Sequence, residues 1–83
     1  MTAPDPRAIA ERLSASQRRA MLWLREAWRR AGKGAPRDVT LASLEMHELC
    51  VSRMYGVDWE YRLTTLGLAV RAALEQMETT DGE

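Results

Sequence analysis

Cys50-Val51-Ser52-Arg53-Met54-Tyr55-Gly56-Val57-Asp58-Trp59-Glu60-Tyr61-Arg62-Leu63 is the stretch on which the architecture turns. Aromatic and β-branched residues flank a Gly-Val pair, the pattern of a β-hairpin with a two-residue turn. Glycine in the first central position predicts a type II′ turn. That turn sets Tyr55 opposite Asp58, Met54 opposite Trp59, Arg53 opposite Glu60 and Ser52 opposite Tyr61. One face then holds Cys50, Met54, Trp59, Tyr61 and Leu63, and the other Arg53, Asp58, Glu60 and Arg62. A one-residue slip would mix the two faces, so the pattern specifies its own register.

After the hairpin, Thr64 or Thr65 caps a closing helix over about 65–78. Leu66, Val70, Ala73, Leu74 and Met77 share about 100° of its arc. Residues 79–83 read as a frayed acidic tail. Before the hairpin, Asp38 or Thr40 caps a helix over about 40–49. The Gly32-Lys33-Gly34-Ala35-Pro36 stretch is a loop. Ser14 and Gln17 have capping-box spacing, so a long helix is predicted over 15–31, closed by Gly32 in the left-handed conformation. Asp5-Pro6 opens a short helix over 6–13. The expectation is one α+β domain over 1–78, mainly helical. Its core should join Leu13, Leu24, Trp28, Leu44, Trp59, Leu63, Leu66, Val70 and Leu74.

Tyr61-Arg62-Leu63-Thr64-Thr65-Leu66-Gly67-Leu68-Ala69-Val70 resembles the segment of bacterial winged-helix proteins in which the wing's return strand enters the closing helix. Leu63-Thr64, Gly67 and Val70 match that pattern. Glu48-Leu49 and Val51 resemble the end of the recognition helix, where Leu-x-x-x-Gly-Leu-Val is usual and this chain lacks the glycine. The resemblance covers about residues 44–74 and implies a winged-helix-like fold and a DNA-binding, transcription-regulating role. The whole chain also resembles small prophage-type proteins of GC-rich bacteria. Two features depart from the family. The 32–39 loop leaves little room for the usual extra helix. The helix in the recognition position carries Glu45 and Glu48 and neither Arg nor Lys, whereas reading a groove needs donors for phosphate and guanine. The contacts that the resemblance implies for that helix fall to Thr40, Ser43 and His47.

The 83 residues carry 12 Lys+Arg and 12 Asp+Glu, yet the charge is split. Residues 1–37 hold nine basic groups against three acids, and residues 38–83 hold three against nine. Such a split points to a polyanion-binding face, or to halves that neutralise each other on packing. On the predicted 15–31 helix, Arg18, Arg25 and Arg29 line one stripe, with Arg19, Arg30 and Trp23 beside it. These six are the candidate contacts. Leu22 sits among them, and a homodimer through terminal helices would use Leu22 and Leu68.

No apolar run approaches the roughly 20 residues of a membrane span. The opening residues lack the pattern of a signal peptide. A single cysteine, Cys50, forms no internal disulfide, and a cytoplasmic location is the expectation. His47 and Cys50 are three apart, but a metal site needs three or four ligands, and a nucleophile needs an orienting group and an oxyanion hole. Neither is legible, nor is a phosphate-cradling loop, so no enzyme, metal or cofactor is expected. The leading expectation is a nucleic-acid-binding module acting through backbone contacts. The alternative is a phage-borne adaptor or inhibitor whose basic helix face grips an acidic protein.

Overall fold

The computed structural model describes residues 4–81, with side chains as far as Glu78. Four helices and a three-stranded antiparallel sheet make a small α+β fold, about half of it helical. α1 (Pro6–Arg12) opens with the Asp5 carboxylate accepting from the Arg7 N–H at 3.1 Å. α2 (Ala15–Trp23) opens with the predicted capping box. The Gln17 N–H donates to Ser14 Oγ at 3.1 Å, and the Ser14 N–H to Gln17 Oε1 at 2.9 Å.

α2 then stops at Trp23, eight residues short of Ala31. Leu24 turns to an extended conformation (ψ 154°) and inserts its side chain into the core. The chain beyond it joins the sheet. Arg29 and Arg30 form β1 (Arg29–Arg30) opposite Tyr61 and Glu60. The Leu63 N–H donates to the Arg25 carbonyl at 2.8 Å, and the Ala31 N–H to the Trp59 carbonyl at 2.9 Å. Arg25 to Ala31 are mostly good helix formers, but pairing with an existing strand overrides that weak preference. Gly32 therefore caps no helix; among the described residues the left-handed glycines are Gly34 and Gly56.

α3 (Asp38–Met46) begins two residues before the expected Thr40 and ends three before Leu49. Arg37 occupies its N-cap without a side-chain hydrogen bond, so neither Asp38 nor Thr40 caps it. Its C-terminus is a Schellman turn. The Leu49 N–H donates to the Leu44 carbonyl at 3.0 Å and the Glu48 N–H to the Glu45 carbonyl at 2.9 Å. Glu48 takes a positive φ of 61°. It stands where the winged-helix pattern has its glycine, so the backbone keeps the left-handed turn although the residue is not glycine.

β2 (Cys50–Tyr55) and β3 (Asp58–Leu63) pair in the predicted register, and the sheet order is β1-β3-β2. Gly56 has φ 65°, as a II′ turn requires. α4 (Thr65–Asp81) runs three residues past the expected end at 78, so residues 79–81 continue the helix where a frayed tail was expected. Gly82 and Glu83 lie outside the described residues. Thr64 caps α4 through its Oγ1, which accepts from the Gly67 N–H at 2.9 Å.

The core gathers Ala10, Leu13, Ala20, Met21, Leu24, Leu41, Leu44, Leu49, Cys50, Leu63, Val70 and Leu74. Leu66 packs against it half-buried. Two expected members do not belong. Trp28 is half-buried on the outer sheet face, with the guanidinium groups of Arg53 and Arg62 at 4.2 and 4.8 Å from its ring centre. Trp59 is 49% exposed. The Trp28 error follows from the lost half-helix, because it was phased on a helix that ends at Trp23; Trp59 keeps its predicted register, but only the base of that hairpin face, Cys50 and Leu63, reaches the core. Among the described residues no helix is long and apolar enough to cross a membrane.

Two substitutions test the backbone account. Glu48→Gly should stabilise the fold by about 1 kcal/mol, because a non-glycine residue in the left-handed region costs roughly 1–2 kcal/mol, part of which is offset by glycine's extra unfolded-state freedom. Gly67→Ala should destabilise it by about 1–3 kcal/mol or more, since the added Cβ runs into the Leu49 carbonyl group. Urea unfolding midpoints measure both. A lowered midpoint for Glu48→Gly would contradict the capping argument.

Candidate nucleic-acid interface

The shortened α2 disperses the six residues of the predicted basic stripe. Arg18 is half-buried and reaches back toward α1, its Nη2 lying 3.4 Å from the Glu11 carbonyl oxygen. Arg25 is exposed on the segment between α2 and β1. Arg29 turns toward the end of α2, with Nη1 donating to the Trp23 carbonyl at 2.7 Å. Its guanidinium carbon lies 4.5 Å from the centre of the Trp23 ring. Arg30 pairs with Asp58 at 3.4 Å. Arg18, Arg25 and Arg29 thus face three different surroundings, and the stripe is corrected to separate positions.

Arg19 and Trp23 remain together and acquire new neighbours. They line one wall of a cleft of about 290 Å³, closed on the other side by Gly34, Pro36, Arg37 and Thr40. No carboxylate lines it. Arg19 and Arg37 are both exposed, and neither forms an ion pair among the described residues. Lys33 is exposed on the same loop. Arg37 was absent from the sequence-based candidates because helical phase groups residues of one helix, and Arg37 lies on a different segment. The signal available was its place between a Gly/Pro loop and a helix start.

The other two candidates expected on that helix, Ser43 and His47, diverge from Thr40, and His47 lies just past the end of α3. Ser43 is occupied structurally: its hydroxyl donates to the Thr40 carbonyl at 2.7 Å and accepts from Gln17 Nε2 at 3.2 Å, fastening α3 to α2. His47 is exposed beside α1, lining a small cavity with Ile9, Arg12 and Leu13. Leu22 and Leu68 are half-buried, and Leu68 packs against the core.

The hairpin side of α3 has the opposite polarity. Ser52 donates its hydroxyl to the Glu45 carboxylate, 2.9 Å from Oε2 and 3.1 Å from Oε1. The Tyr61 hydroxyl is held above its ordinary pKa by burial first, then by the negative charges of Asp38, Glu45 and Cys50. Asp38 and Glu45 therefore act on the same part of the sheet. On the outer sheet face Arg53 pairs with Glu60 at 2.8 Å and Arg30 with Asp58 at 3.4 Å.

Cys50 and His47 do not converge. Cys50 is buried, with its thiol 3.8 Å from the Leu41 carbonyl oxygen. Among the described residues no three His, Cys, Asp or Glu side chains are arranged to hold a metal. Comparison with family models, curated proteins and solved structures finds no match to this chain.

The thiol supplies a pH test. Burial, and secondarily the charge of Glu45, pushes the Cys50 pKa from 9.0 up to about 11. The unfolded thiol loses its proton at lower pH than the folded one. This contribution to stability is therefore complete below pH 9.0 and declines as pH rises toward about 11. Urea midpoints of the wild type should fall across that window more than those of Cys50→Ala. An aromatic disulfide reagent at pH 8 should label the native thiol only on unfolding.

Proposed function

We propose that the chain is a non-catalytic nucleic-acid-binding module of winged-helix type, holding the phosphate backbone through the cleft between α2 and the segment 34–40. The order helix, helix, short strand, helix, hairpin, helix supports the winged-helix part of this reading. So do the pairing of β1 with β3 and the left-handed turn at Glu48. The cleft carries the functional part: Arg19 and Arg37 both line it, and no carboxylate does. Arg19, Arg37 and the neighbouring Lys33 supply positive charge for phosphate oxygens, and arginine can contact them bidentately.

α3 is not used in the family's usual way in this reading. Asp38 and Glu45 would stand against phosphates if the helix entered a major groove, and like charges there repel. Contact through α2 and the 33–37 loop avoids them. Such binding holds the backbone and carries little base information. A regulator or a phage-borne accessory protein that holds nucleic acid without choosing a sequence fits this arrangement.

Titration against labelled duplex and single-stranded oligonucleotides at about 50 and about 200 mM salt tests the proposal. Affinity should be modest, fall steeply with salt and depend little on sequence. For duplex DNA each lost phosphate contact lowers the slope of log K against log salt by about 0.9. Arg19→Ala with Arg37→Ala should lower it by about two, while Glu45→Ala should leave binding unchanged or stronger. Absence of binding at low salt would overturn the reading and leave an acidic protein surface as the better occupant of the cleft.

A further inference from the structure

The exposed large apolar residues of the described chain are confined to two elements. Val39 and Met46 lie on α3, and Met54, Tyr55, Val57 and Trp59 on the hairpin. Val57 is 92% and Met46 84% exposed. Single exposed apolar residues need no explanation, but a concentration within one third of the chain marks an interaction surface.

Register and helical phase bring Val39, Met46, Met54 and Trp59 to one side, with Val57 at the hairpin tip; Tyr55 lies on the other sheet face, beside Arg53. Met54 and Trp59 are directly opposed, on the sheet face shared with Ser52 and Tyr61. Ser52 is hydrogen-bonded to Glu45, so this face borders α3. On α3, Asp38 and Glu45 are seven apart and form one row beside the hairpin. Val39 and Met46 form the next row, about 100° further round and away from buried Leu41 and Leu44. The surface is therefore an acidic row with apolar residues on both flanks. Arg29, the cation that β1 would bring to this face, is turned away to the Trp23 carbonyl.

We propose that this surface docks a protein segment that alternates apolar side chains with lysine or arginine. Charge complementarity decides the occupant. Nucleic acid would set phosphates against Asp38 and Glu45. A second copy related by two-fold symmetry would set that acidic row against itself. A basic and apolar segment satisfies both parts of the surface: its cations meet the carboxylates while its apolar side chains cover Met46, Met54 and Trp59. This site lies on the hairpin side of α3, apart from the Arg19–Arg37 cleft, and stands whether or not the cleft binds nucleic acid.

Selection from a random-peptide display library, with the full chain as bait, tests the proposal. The enriched peptides should combine basic and apolar residues, and a synthetic peptide of the consensus should bind in solution. Met46→Lys and Val57→Lys alter exposed side chains that the fold does not need. Together they should weaken that peptide about tenfold or more, while Arg19→Ala with Arg37→Ala should leave it unchanged. Circular dichroism confirms that each variant is folded. Absence of enrichment, an acidic consensus, or affinity indifferent to Met46→Lys and Val57→Lys would overturn the proposal. So would competition between peptide and oligonucleotide, or a dimer in sedimentation velocity that Met46→Lys dissociates.

Discussion

Two carbonyl groups at the end of α3 hold the molecule together. The Glu48 carbonyl accepts from Thr64 Oγ1 at 2.6 Å, and the Leu49 carbonyl accepts from the Thr64 N–H at 3.1 Å. Gly67 closes against the same Leu49 carbonyl, where no Cβ fits. One contact therefore locks the exit of α3 and entry of β2 to the exit of β3 and entry of α4. The hairpin lies between these two ends, so its position relative to both helices is determined here. The left-handed turn at Glu48 aims its own carbonyl and that of Leu49, and the Thr64 hydroxyl acts twice, as donor to Glu48 and as cap of α4. Leu44, Leu49, Leu63 and Val70 are all buried in the core beneath these bonds.

The sheet makes the second decision, which shapes the surface. Once β3 stands beside the end of α2, the backbone of Arg25 to Ala31 finds better partners there than in another two turns of helix. The consequence is electrostatic. A continuous helix would have aligned Arg18, Arg25 and Arg29; the break leaves Arg18 on α2, reaching to α1, and carries Arg25 to the loop and Arg29 to the Trp23 ring. It also delivers Arg30 to Asp58, and it places Trp28 beneath Arg53 and Arg62.

What remains is a two-sided molecule built around α3. The side toward α2 carries unpaired arginines and a small cleft. The side toward the hairpin carries carboxylates and exposed apolar side chains. The zero net charge of the chain conceals this separation. In the two proposals, a polyanion lies on one side and a basic partner on the other, with α3 between them.

The sequence by itself determined the local devices. The hairpin register, the capping box at Ser14 and Gln17, the Asp5 cap and the amphipathic α4 were legible because each depends on residues a few positions apart. The requirement at Gly67 was legible only as part of a resemblance. The tertiary structure alone decided the end of α2, the existence of β1 and the membership of the candidate site. Residues 24–31 read as helix on every local criterion, and what stops them is a strand more than 25 residues later in the chain. Arg19 and Arg37 come together for the same reason: their proximity is a product of packing between α2 and α3, and no helical period relates them. Local propensity is worth tenths of a kcal/mol per residue. A buried side chain such as Leu24 together with backbone hydrogen bonds to β3 outweighs it.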